Sequence, residues 1–277
     1  HDLRRLTQYQ RDPKLADVLI QQSADEVDWL HKLGVRYLPN YGRQAFKIDG
    51  RFKFFGGSVI DANGGGEGLM EAHFKNAERL GIDVRYGARA VALLGGANGV
   101  VCVRDEINGV SADFPSQAVV LASGGFEANR EWRARYLGPG WDMAKVRGTR
   151  FNTGDGIRMA LDIGAQPYGQ WSGCHSCAWE RNAGDFGSVA TRHNGFRHSY
   201  LYGIVGNPEG KRFLDEGADI RNYTYAKYGR IILHQPKKFA CQIFVSSLTH
   251  MLLPEYRARR VTKVNANTQA ELVDKIE

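Results

Sequence analysis

The chain has 277 residues, 43% hydrophobic and 24% charged, with a formal net charge of +7; this is the balance of a globular protein of one large domain or two ordinary ones. No run of about 18 apolar residues could span a bilayer, and no basic start with an apolar core marks a signal peptide. Lys and Arg are dispersed rather than gathered in a stripe, so the charge predicts attraction for small anions rather than for nucleic acid. The four cysteines (Cys102, Cys174, Cys177, Cys241) are too few for a disulfide scaffold and fit a reducing cytoplasm.

Asp12-Pro13 predicts a capped helix start, with Leu15, Val18, Leu19, Val27 and Leu30 at helical spacing and Gly34 as the stop. A second helix is expected after the glycine cluster Gly64-Gly65-Gly66-Glu67-Gly68, carrying Leu69, Met70, Phe74, Ala77 and Leu80 on one face and ending at Gly81. Ile82–Tyr86 alternates like a strand. Ala90–Leu94 and Val100–Val103 flank Gly95–Gly99 as a hairpin would. Ala118–Ala122 is a continuous apolar run and predicts a strand buried on both faces of a sheet. Asn152-Thr153-Gly154-Asp155-Gly156 leads into a helix with Ile157, Met159, Ala160, Leu161 and Ile163. Short strands are expected near Leu201–Val205 and Ala240–Val245. Thr268-Gln269-Ala270-Glu271 is a capping box opening a further helix. With a first residue that is not Met and a last helix only about two turns long, the chain is expected to be an internal piece of a longer protein. The order of elements predicts α/β followed by a mixed α+β region.

Three glycine segments could approach a phosphate-bearing ligand. Gly64–Gly68 at a helix start offers free backbone N–H groups, but Gly66-x-Gly68-x-x reaches Glu71, so the dinucleotide fingerprint lacks its third glycine. A flexible loop explains it equally. Ala122-Ser123-Gly124-Gly125 stands where α/β sheets place ligands, at the carboxyl end of an expected strand; a plain turn is the competing explanation. Gly154-Asp155 reads as a turn or as a loop aimed at a cofactor. Cys174-x-x-Cys177 followed by His193 and His198 has zinc-finger spacing. Asn194-Gly195 would break the helix that a finger needs, so no metal is expected.

In order and spacing these segments resemble the FAD-binding flavoproteins of the fumarate reductase and succinate dehydrogenase superfamily. The resemblance rests on Gly65–Leu69, Val120–Asn129, Asn152–Gly156, His175, Gly210-Lys211-Arg212-Phe213-Leu214-Asp215-Glu216 and Arg221–Tyr225, and is strongest to the tricarballylate dehydrogenase branch. It implies that residues 1–168 are part of a split FAD-binding domain and residues 169–277 part of an inserted capping domain. It implies FAD in the full-length protein, lined by Ala90, Val91, Ala122, Ser123, Gly124, Gly125, Gly154 and Asp155. The family's N-terminal glycine fingerprint is absent, so this chain by itself is expected to be inactive and without FAD. The implied reaction is oxidation or reduction of a carbon–carbon bond in a small di- or tricarboxylate, of the tricarballylate to cis-aconitate type. Fumarate-reductase-like and 3-ketosteroid-dehydrogenase-like reactions are the alternatives, and an electron-transfer partner is compatible with all of them. By motif position His175 would bind a substrate carboxylate and Arg221 would transfer the proton, with Glu216 and Arg197 as relay candidates. The family's His-Pro-Thr is His175-Ser176-Cys177 here, and its Arg-Asp is Arg221-Asn222.

Overall fold

The computed structural model describes residues 2–54, 59–96, 99–190 and 194–276. The chain divides into two compact units, His1–Ala90 with Arg104–Asp113 and Val91–Val103 with Phe114–Glu277.

The first unit opens with α1 (Asp2–Leu6) and α2 (Pro13–Lys32). As predicted, Asp12 caps α2 by accepting from Leu15 N at 3.0 Å, and Gly34 ends it at φ 96°. Strands β1 (Tyr37–Pro39) and β4 (Ile60–Ala62) pair antiparallel. Between them lie the short α3 (Tyr41–Gln44) and the hairpin of β2 (Ala45–Ile48) with β3 (Arg51–Phe54). That hairpin turns through Asp49 and Gly50, both at positive φ, the conformation that matches the twist of paired strands. The glycine cluster leads into α4 (Gly65–Arg79). A Cβ at Gly68 would lie 2.0 Å from the Asn63 carbonyl oxygen, so packing alone accounts for a glycine there. Asn76 Nδ2 donates to Leu33 O at 2.6 Å and ties α4 to the end of α2.

Strands β5 (Ala88–Gly96), β6 (Gly99–Ile107) and β7 (Val110–Pro115) form a sheet in sequence order. The predicted hairpin is β5–β6; its tip, residues 97–98, lies outside the described residues. The third strand was not predicted, although Asn108-Gly109, both at positive φ, is the dipeptide that two-residue hairpins favour.

In the second unit α5 (Arg130–Trp132) runs into a π-type turn over Arg133–Leu137. Then follow α6 (Asp155–Asp162), β8 (Ile204–Gly206), α7 (Arg221–Leu233), β9 (Cys241–Ile243) and α8 (Gln269–Ile276). Strands β8 and β9, near the two expected short strands, pair antiparallel with each other. At the start of α8 Thr268 Oγ1 accepts from Glu271 N, while the Glu271 carboxylate accepts from Asn267 N. The core is Tyr200, Val205, Leu214 and Tyr228, with Phe213, Tyr225 and Ile231 packed against it.

Two expected strands do not form. Ala118–Ala122 is extended but pairs with nothing, and Val120 is 89% exposed. Ile82–Tyr86 is likewise unpaired, with Ile82, Val84 and Tyr86 exposed. A strand, unlike a helix, makes its hydrogen bonds to a neighbour, and among the described residues no strand stands beside either run. For the same reason the apolar stripe of α2 forms a helix without being buried: Leu15, Val18, Leu19 and Trp29 face solvent.

Candidate functional site

Two of the three glycine segments meet. Ala128 N donates to Asn152 O at 2.9 Å and Asn129 Nδ2 to Thr153 O at 3.0 Å, which lays Ala122–Gly125 beside the start of α6. A Cβ on Gly156 would come within 2.2 Å of Ser123 Oγ. Gly124 and Gly154 sit at φ 80° and 84°, in the left-handed region that favours glycine. Gly154 caps α6 without a side-chain hydrogen bond, and a helix start is where backbone N–H groups can meet an anion.

An aromatic cluster underlies this corner. Phe126 packs on Trp132 (5.6 Å), Tyr136 (5.5 Å) and Trp171 (6.1 Å). A cleft of about 240 Å³ opens over Leu121, Ser123, Gly124, Gly156, Tyr168 and Trp171. Ligand pockets usually measure roughly 300–1,000 Å³, so this cleft can seat part of a dinucleotide and not the whole. Ala90 and Val91 lie in β5, where Val91 O accepts from Arg158 Nη2 at 2.8 Å.

The second cluster surrounds α7. Arg221 opens the helix, and Tyr225, one turn later, shares its face. The Tyr225 ring touches His175 on one side (5.2 Å) and His198 on the other (4.8 Å). His175 thus touches the residue that lies one helical turn after Arg221. The contact is held by the backbone next to His175. Ser176 N donates to Ala226 O at 2.7 Å, Gly229 N donates to Ser176 O at 3.1 Å, and Arg230 N donates to Ser176 Oγ at 2.9 Å. Ser176 therefore inserts into the hydrogen-bond ladder of α7. A proline, which the related motif carries at this position, has no N–H for the first of these bonds. Gly229 leaves the room: a Cβ there would lie 2.7 Å from backbone atoms of Ser176 and Cys177.

His175 is exposed, yet neighbouring side chains desolvate its imidazole and the Arg147 charge repels a second cation, so its pKa falls below the usual 6.5. The neutral ring can donate from one nitrogen and accept at the other. Tyr200, buried and hydrogen-bonded to Thr224, is pushed up to about 12 chiefly by burial, against the opposing pull of Thr224 and Arg221.

Glu216 is buried, with one oxygen accepting from Val205 N at 2.6 Å and the other from Arg212 Nε at 2.9 Å. Burial would raise its pKa, but the bonds from Arg212 and Val205 outweigh that and hold it below the usual carboxylate range. Arg197 is paired with Glu180, both nearly buried. Thr262 and Asn182 also donate to Glu180. Of the zinc-spaced residues, Cys174 and Cys177 are free thiols and His198 is buried against Phe196 and Tyr225. His193 lies outside the described residues. Among the described residues no group of three His, Cys, Asp or Glu side chains could hold a metal, and no helix is long and apolar enough to cross a membrane.

The sequence reading missed Ser176, Gly229, Tyr225 as the contact between His175 and the Arg221 helix, and Trp171. Only Tyr225 carried a local signal, its spacing of four from Arg221.

The FAD binding domain family model matches residues 1–274, and the chain belongs to that family. It is 30% identical over 243 residues to a probable fumarate reductase, Ifc3, of Shewanella frigidimarina, covering 86% of this chain and 38% of that protein. It is 34% identical over 166 residues to a urocanate reductase of Eggerthella lenta, covering 56% of this chain and 25% of that protein. The open conformation of a flavocytochrome c3 fumarate reductase superposes with a TM-score of 0.66 at 27% identity, over 91% of this chain and 42% of that one. The chain therefore corresponds to part of an FAD-binding flavoprotein fold and spans roughly 40% of the length of these fumarate reductases.

Proposed function

We propose that the full-length protein is an FAD-dependent oxidoreductase acting on a carbon–carbon bond of a small di- or tricarboxylate, of the tricarballylate to cis-aconitate type. A fumarate-reductase-like reaction is the second reading, favoured by the names of the relatives above. In both, residues 1–168 contribute to the FAD domain and residues 169–277 to the capping domain over the substrate. The observation that carries the proposal is the contact of His175 with Tyr225, which lies one helical turn after Arg221 on α7. A hydrogen-bonding imidazole and a guanidinium fork are suited to a carboxylate substrate.

The corner fits part of FAD. Its glycines admit backbone close to a ligand where a Cβ would collide with Ser123, and the uncapped start of α6 favours a phosphate or hydroxyl oxygen. Ser123, Gly124, Gly125 and Gly154 would line it, with Ala122 beside them. Asp155 would accept from hydroxyl groups, since its charge repels phosphate. Ala90 and Val91 would contribute backbone contacts. When bound, FAD supplies the hydride chemistry.

The chain's own residues position the substrate and move the proton. His175 accepts or donates a hydrogen bond at one carboxylate. Arg221 forks onto a second and stabilises negative charge developing on the adjacent carbon. In the reduction direction a guanidinium N–H of Arg221 would deliver the proton to that carbon; in oxidation Arg221 would first pass a proton to the relay and, as the neutral guanidine, take the proton from carbon. Free guanidinium holds its proton to a pKa near 12–14, so this step needs the proton replaced at once, and Glu216 and Arg197 are the relay candidates. The engagement of both Glu216 oxygens favours a positioning part for that residue.

Arg221→Lys in the full-length protein keeps the charge and loses the planar fork. Turnover should fall by more than about 10²-fold with flavin content unchanged. Turnover within about threefold of the parent would remove Arg221 from the mechanism.

A further inference from the structure

The glycine corner opens onto two aromatic rings that the mechanism above does not use, Tyr168 and Trp171, in the segment after α6. Trp171 is already ordered. Its Nε1 donates to Tyr168 O at 3.1 Å, its ring stacks on Phe126 at 6.1 Å with 28° between the planes, and it meets Tyr136 edge-on at 4.8 Å. Packing accounts for much of Trp171. It does not account for Tyr168, which stands 70% exposed between Pro167 and Gly169; Gly169 turns the chain there at φ 91°.

One space brings these rings and the glycines together. The cleft of about 240 Å³ is lined by Ser123, Gly124 and Gly156 as well as by Tyr168 and Trp171. A second cleft of about 460 Å³ lies over Tyr136, Leu161, Pro167, Tyr168, Gly169 and Trp171. The two share Leu161, Pro167, Tyr168 and Trp171, so a ligand that enters from the glycines meets the rings. Among the described residues no Asp, Glu, Lys or Arg side chain lines either cleft. Such walls suit a flat, uncharged body and not a second carboxylate, while the adjoining start of α6 suits a polar group. A dinucleotide carries both parts in one molecule. A platform ordered before binding also loses little entropy when a ring is laid on it.

We infer that Tyr168 and Trp171 form a stacking wall for a fused aromatic ring of FAD, isoalloxazine or adenine, as the cofactor leaves the glycine corner. This rests on the reading of that corner as part of an FAD site. Neither residue takes part in the proton transfer.

The test uses the full-length protein with Tyr168→Ala, Trp171→Leu and Trp171→Phe. FAD is removed and titrated back, with the emission of bound flavin, the affinity for ADP and the melting temperature measured alongside. Loss of a stacked ring predicts about ten- to a hundredfold weaker FAD binding in Trp171→Leu. Trp171→Phe should restore most of it, and Tyr168→Ala, an exposed position, should weaken FAD without lowering the melting temperature. An indole or phenol against isoalloxazine quenches its emission by electron transfer. A rise in bound-flavin emission with ADP affinity unchanged therefore supports the wall and assigns it to isoalloxazine. Weaker ADP binding with emission unchanged supports the wall and assigns it to adenine. If FAD affinity stays within about threefold in Tyr168→Ala and Trp171→Leu, or if neither emission nor ADP affinity moves, the wall does not touch the cofactor while the reading of the corner stands. If the parent binds no FAD, that reading falls and this inference falls with it.

Discussion

Arg133 is a charged residue buried in the second unit. It is 4% exposed, and among the described residues no carboxylate forms an ion pair with it. Its guanidinium instead donates to four backbone carbonyls: Trp141 O at 2.9 Å, Asp142 O and Ala144 O at 3.0 Å each, and Glu127 O. Burial and the nearby charge of Arg130 lower its pKa, but a guanidinium starts so high that it stays charged. The side chain ties the turn at residues 138–144 to the segment that follows Gly124-Gly125, and so shapes the glycine corner. Arg133→Met leaves several carbonyls without donors at about 1–3 kcal/mol each, part of which water entering the site recovers. A loss on the order of 3–5 kcal/mol in chemical denaturation is expected, and Arg133→Lys should recover less than half because it cannot reproduce the fork. A loss under about 1 kcal/mol would mean that the carbonyls are satisfied without it. Nothing in the sequence marks Arg133, because its partners are backbone atoms whose positions only the folded turn defines.

At the scale of elements, the important event is the insertion of Ser176 into α7. Helix ladders are usually internal; here two N–H groups and one carbonyl of α7 turn outward to a neighbouring segment, which fixes His175 relative to the start of the helix. Gly229→Ala tests this without touching substrate or ring contacts. Alanine favours the helix by roughly 1 kcal/mol over glycine, yet its Cβ would lie 2.7 Å from backbone of Ser176 and Cys177. Forcing that segment off α7 should outweigh the helical gain, costing about 1–3 kcal/mol net, and should raise KM more than it lowers kcat, with flavin content unchanged. Stabilisation with unaltered kinetics would show that the Ser176 segment does not position His175. The helices themselves were legible in the sequence: α2 and α4 begin and end where caps and glycines put them, and α6 and α8 begin where the sequence places their starts. The two failed strands show the opposite case, since Ala118–Ala122 and Ile82–Tyr86 have strand composition and no partner.

At the scale of the whole molecule, the Gly124 and Gly154 segments form the corner proposed to hold part of FAD, with no dinucleotide fingerprint in the sequence. The cleft there is smaller than a typical ligand pocket, and Leu121 and Val120 beside it are exposed. The isolated chain, mixed with FAD and passed through gel filtration, should therefore elute without a flavin absorbance band; a yellow protein would show that this corner suffices. Sequence alone determined the capped helices, the β5–β6 hairpin and membership of the flavoprotein superfamily. Those signals are local, being apolar periodicity, turn residues and ordered motifs that can be read within a few residues of one another. Only the tertiary structure decided that His175 faces Tyr225, that Ser176 enters α7 and that Glu216 clamps β8. Each of these joins residues distant in the chain, two of them through backbone groups common to every sequence, so side-chain identity alone does not announce them.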